Sequence, residues 1–208
     1  MDTPKYDLKL FVDDNSEPSL AALIPVFHRW IRTHALADLL IDVADYRHVP
    51  NGPGVILIGH DAHYGMDSAV GGWPGFLYSR RRETGNSRQN IRSVPQRLQS
   101  VFRDTLTACR FLAAEPALPA ALQFRTDRLL LRVNDRLHAP NTDDGFATLR
   151  AHLEPFLQQL YTGSTVKMEH LSDPQSPLTI RIRTAHAPTL DTLLERLDDI
   201  DVAVGATL

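Results

Sequence analysis

One order of elements is written twice along this chain, and that constrains its fold more than any single motif. An alternating run with Leu8, Leu10 and Val12 on one side predicts a strand over residues 6–12. Leu20, Leu23, Ile24, Phe27, Trp30 and Ile31 then recur at spacings of three and four. They predict an amphipathic helix with Pro25 inside it. Two extended runs follow, Leu39 to Tyr46 and Val55 to Ile58, and a long helix from Ser93 to Ala113 closes the first half. The second half repeats the plan. Leu129 to Val133 predicts a strand, and Phe146, Leu149, Leu153, Phe156, Leu157, Leu160 and Tyr161 predict a helix containing Pro155. Thr165 to His170 and Leu178 to Ile182 read as strands, and Leu190 to Leu197 as the closing helix. Setting Pro25 on Pro155 brings Leu23 onto Leu153, Phe27 onto Leu157 and Trp30 onto Leu160.

The fold class expected is therefore α+β. It comprises two similar strand–helix–strand–strand–helix units, ferredoxin-like or a related α/β sandwich, with an internal duplication as their origin. Residues 1–113 form the first unit and 121–208 the second. The linker, 114–120, is stiffened by Pro116 and Pro119. Each unit is expected to carry its own antiparallel or mixed sheet, paired edge to edge or through helices. Leu39 to Val43 is mostly apolar and reads as an inner strand. Residues 59–75 are glycine-rich and read as a hairpin or an irregular excursion, with Phe76 to Tyr78 returning from it. Ser93 and Gln96 have capping-box spacing ahead of the long helix, and Pro95 fits its first turn.

Composition excludes several classes. No stretch approaches the roughly 20 apolar residues that span a bilayer, so membrane insertion is not expected. The start, Met1 to Lys5, has no signal-peptide pattern. The single cysteine, Cys109, falls in an apolar helix stripe and reads as an inert buried thiol. Together these predict a cytoplasmic, reduced protein. The net charge of −3 hides an asymmetry. Residues 80–110 hold eight arginines against Glu83 and Asp104, which leaves that segment near +6 and the remainder near −9. Such polarity marks an anionic partner, or a basic face paired with the acidic remainder of the same molecule.

Two groups of residues carry possible chemistry. Asp42, Asp45, Tyr46, His48, His60, Asp61, His63 and Tyr64 lie in or beside two neighbouring strands. His60 with Asp61, Asp42 or His48 has the composition of an acid–base pair, the carboxylate fixing the imidazole tautomer. His60 and His63 with Asp61 have the donor types of a metal site, although their spacing is not the helical zinc pattern. The second group is Arg80, Arg81, Arg82, Arg88 and Arg92, whose guanidinium forks suit phosphate or carboxylate. Tyr78 and Trp73 lie near enough in sequence to offer stacking. No phosphate-loop, dinucleotide or nucleophile-elbow motif is present, and no cofactor is implied.

The stretch from Leu39 to His60, LLIDVADYRHVPNGPGVILIGH, resembles a segment of a conserved bacterial family without assigned activity. The resemblance extends over the Pro25 helix, about the first third of the chain. It implies a bacterial cytosolic protein and transfers no catalytic residue. The resulting expectation is a non-catalytic cytosolic binding or assembly protein. It would act through protein–protein contacts, self-association or an anionic ligand, with nucleic acid ranked below these. The competing expectation is a small enzyme with a His/Asp acid–base or metal site around Asp42, His48, His60 and His63.

Overall fold

Among the described residues, eight strands join edge to edge in one antiparallel sheet; three helices pack against one of its faces and a fourth packs on two of them. A computed structural model describes residues 5–13, 19–50, 52–68, 70–81, 93–118, 122–173 and 175–205. The elements run β1 (Tyr6–Val12), α1 (Leu20–Thr33), β2 (Leu40–Asp45), β3 (Val55–Gly59), β4 (Ala62–Asp67), β5 (Gly75–Arg80) and α2 (Val94–Ala113). After them come β6 (Phe124–Val133), α3 (Asp143–Leu160), β7 (Val166–Leu171), β8 (Leu178–Thr184) and α4 (Leu190–Gly205). The strand order is β2-β3-β4-β5-β1-β6-β8-β7.

The periodicities account for these elements. Leu8, Leu10, Leu57, Tyr64, Tyr78, Leu129, Leu131, Ile180 and Ile182 turn alternate side chains to the helices and are buried there. The α1 stripe delivers Leu23, Phe27 and Trp30 to the same core. Trp30 packs edge-on against Phe111 of α2, ring centroids 6.1 Å apart. The capping box at α2 forms as its spacing predicts: Ser93 Oγ accepts from Gln96 N, and Gln96 Oε1 accepts from Ser93 N. Thr142 caps α3 by accepting from Gly145 N at 3.1 Å.

Of the two expected ways for the halves to meet, the sheets pair edge to edge: β1 and β6 pair along their length, so the sheet is continuous over one shared core and not divided between two. Two features differ from expectation. The strand read as internal, β2, is an edge strand. A register shift between Leu40 and Asp42 breaks its pattern, so Leu39 and Ile41 stand outward, 60% and 53% exposed. Finally, α4 extends past Leu197, with Ile200 continuing its apolar stripe.

Candidate anion-binding surface

The sheet face away from the helices is the informative one. In an antiparallel ladder, residues directly opposite share a face. The row through the middle of this second face is Ala44, Ile56, Gly65, Leu77, Lys9, Leu130, Arg181 and Glu169. Lys9 is fully buried although no described helix covers it. The cover is the segment between β4 and β5, a single 3-10 turn (Val70–Gly72) laid over the sheet. Lys9 Nζ donates to Asp67 Oδ2 at 2.8 Å and to the Val70 carbonyl at 2.5 Å, and Val70 N donates to the same carboxylate oxygen. Burial pulls the Lys9 amine below its ordinary pKa, and Asp67 opposes that shift. Gly75 permits the close passage, since a Cβ there would come within 2.8 Å of Lys9 Cε and 2.5 Å of the Leu10 carbonyl. Gly72 turns the strap back with φ of 76°, which favours glycine.

This strap holds Trp73 out into solvent, 64% exposed. Beside it a cavity of about 180 Å3 is lined by Phe11, Trp73, Arg125, Arg128, Arg181 and Arg183. A bulge gathers two of these arginines. Between the Leu10–Leu129 and Val12–Phe124 pairs the register shifts, so residues 125–128 oppose Phe11 alone. Arg125 is held by Asp127, Nε to Oδ1 at 2.8 Å, which keeps that carboxyl below its usual pKa. Arg181 reaches Glu169 at 2.9 Å. Arg128, Arg183 and Lys167 form a row across β6, β8 and β7, spanning about 10 Å at the usual strand spacing. Among the described residues no carboxylate lies within ion-pair distance of these three. The corner thus sets five cations against two carboxylates. Direct opposition of Arg128 and Arg183 is repulsive, as like charges are in any cross-strand pair. An anion placed between them removes that repulsion and is gripped by both forks.

The arginines singled out in the sequence have different places. Arg80 is 7% exposed and faces the helices. Its guanidinium donates to Asp104 at 2.9 Å, Ser100 at 2.7 Å and the Tyr78 hydroxyl at 3.1 Å. It is an internal tie between β5 and α2, not a surface for a partner, because strand alternation turned it inward. Arg81 points outward and is exposed; Arg82, Arg88 and Arg92 lie outside the described residues. Farther along the basic segment, Arg103 pairs with Asp198 and Arg110 with Asp191 of α4. Much of the charge polarity is therefore satisfied within the molecule.

The histidine and aspartate candidates do not converge. His60 and Asp61 pair at 2.8 Å, but both are more than half exposed. His48 lies in the turn beyond Asp45, at the opposite end of the β2–β3 hairpin from His60, about 15 Å along the strands. Asp42 shares a row with His63, but Ile58 stands between them. Asp45 is held by Arg47, which lowers its carboxyl pKa to about 2. His63 is half-buried, and burial followed by Arg81 lowers its pKa, so it favours the neutral ring. Among the described residues no group of three or more His, Cys, Asp or Glu side chains is placed to hold a metal ion. The carboxylate that organises this region is Asp38, which the motif reading missed. It accepts from Asp61 N, Ala62 N and the Tyr64 hydroxyl, and so closes the β3–β4 turn. Cys109 is fully buried, and burial pushes its thiol pKa well up.

One sequence signal did point to the basic corner. Ile180-Arg181-Ile182-Arg183 alternates, which places both arginines on the face opposite the core. Nothing in the sequence shows that Trp73 meets them, because that follows from the order of strands. The fold and this surface define an α+β protein whose sheet carries helices on one side and a basic, aromatic-flanked corner on the other. No protein-family model matches the chain, and no curated protein or solved structure is significantly similar to it. No helix among the described residues is long and apolar enough to cross a membrane.

Proposed function

We propose that this is a binding protein which holds an anionic partner at the corner formed by Trp73, Arg125, Arg128, Arg181, Arg183 and Lys167. The observation carrying this reading is the Arg128–Arg183 cross-strand pair, which makes no ion pair with a described carboxylate; the nearby Asp127 is bonded to Arg125 instead. Like charges directly opposite in a ladder are destabilising, and an anion held between the two guanidinium groups relieves that cost. An acid–base enzyme around Asp42, His48, His60 and His63 has less support, since those side chains are spread over both ends of a hairpin.

An internal duplication belongs to the same reading. Strand order β2-β3-β1 in the first half answers to β7-β8-β6 in the second, and the hairpin β4–β5 is inserted only in the first. That hairpin carries the strap with Trp73. The site thus combines an addition to one half with arginines of the other.

Pyrophosphate tests the anion reading. Trp30 is buried, so a change in the solvent-exposed tryptophan emission reports on Trp73. Titration at low salt is expected to change that emission saturably. The response should weaken at physiological salt and vanish in the Arg128→Glu/Arg183→Glu variant. An unchanged response in the charge-reversed variant sinks the reading.

A further inference from the structure

Resting on that reading, we infer that the anionic partner is single-stranded nucleic acid, its backbone along Arg128, Arg183 and Lys167 and one base stacked on Trp73. Three features of the corner select this ligand among anions. The first is the exposed indole beside the arginines: a phosphate or carboxylate alone gives Trp73 nothing to do, whereas every base offers a flat face to stack on it. The second is the shape of the charge. The unmatched cations form a line, not a cup, and the line ends on Lys167 of the edge strand β7. One small anion engages two neighbouring forks and leaves the third idle. A chain of phosphates occupies all three and leaves over the sheet edge. The third is the cavity. At about 180 Å3 it falls below the 300–1,000 Å3 usual for sites that enclose a free small molecule, so it accepts part of a ligand that continues outside.

The surroundings agree. The strap is pinned from below by Lys9 and Asp67, which fixes Trp73 relative to the sheet before any ligand arrives. With three phosphates neutralised, the logarithm of affinity should fall against the logarithm of salt with a slope of about −2. No base edge is read by hydrogen bonding from an arginine line on a sheet face, so binding should be tolerant of sequence.

The test uses the full chain and a fluorescein-labelled dT8 or rU8 strand, followed by anisotropy and by Trp73 emission. Expected results are saturable binding of the strand with Trp73 quenching and the salt slope above. Trp73→Ala should weaken binding roughly 5- to 150-fold. Lys167→Glu, at an exposed edge position, should weaken it and make the salt slope shallower by about 0.7. Both changes are at exposed side chains, and unchanged circular dichroism and urea midpoints establish that the variants fold. If pyrophosphate binds but neither strand does, or Trp73→Ala leaves strand affinity within twofold, the nucleic-acid inference falls and the anion site stands. A free mononucleotide that binds as tightly as the octamer overturns it likewise. If neither pyrophosphate nor the strands bind, both readings fall together.

Discussion

Asp38 shows how a residue with no motif can organise a region rich in apparent ones. Its carboxylate takes three hydrogen bonds, and its pKa is raised first by burial and further by the neighbouring Asp61. The folded state favours the protonated form, so the group's contribution to stability is full below its unfolded pKa near 3.8. It is lost as pH climbs through the raised folded value. Compared with Asp38→Asn, the unmodified protein should hold its largest stability advantage near pH 3 and lose part of it by about pH 7. Urea unfolding of both proteins across that range checks this. An advantage that grows with pH would show that the three donors outweigh burial. Arg80 makes the complementary point: a residue from a conspicuous basic run serves as an internal strut, because one position of strand alternation decides which way it faces.

Among the elements, the strap between β4 and β5 governs the basic corner by placing Trp73 in the wall of its cavity. Lys9 is its anchor, buried and bonded to both Asp67 and the Val70 carbonyl. Lys9→Met keeps the apolar stem but leaves Asp67 buried without its cation. Losing one partner of a buried ion pair costs about 3–5 kcal/mol, and the urea midpoint should fall accordingly. Amide exchange in residues 67–74 should rise above the global change, and pyrophosphate should bind more weakly. A variant with an unchanged midpoint and unchanged Trp73 emission would show that Lys9 does not hold the strap. The edge strand β2 carries the reverse lesson. Its composition suggests an interior position, yet a bulge and outward Leu39 and Ile41 make it a border.

On the scale of the whole molecule, the two halves share their core. Phe102 of α2 meets Phe156 of α3 with ring centroids 5.0 Å apart, and Gln99 donates to the Leu197 carbonyl of α4 at 3.0 Å. With β1 hydrogen-bonded to β6 beneath these contacts, neither half can open without exposing the other's apolar face. Calorimetric unfolding should therefore show one transition, with calorimetric and van't Hoff enthalpies in a ratio of about 1. Two resolved transitions would show that residues 1–113 and 121–208 unfold separately.

Local order in this protein was legible from residue pattern alone. Alternation marked β1 and β8, the spacing of three and four marked α1 to α3, and Ser93 with Gln96 marked the start of α2. Those signals are local because hydrogen bonding within a helix, and side-chain direction along a strand, depend on near neighbours. Tertiary structure decided the rest. Pairing β1 with β6 joined the two halves in one continuous sheet, packing α2 on β5 gave Arg80 its partner Asp104, and the β2–β3 register left His48 and His60 at opposite ends of a hairpin. It also brought Trp73 beside arginines 52 to 110 residues away in sequence. Strand order sets which distant residues become neighbours, and it is chosen by how the whole apolar surface is buried, a sum that no short stretch of the chain contains.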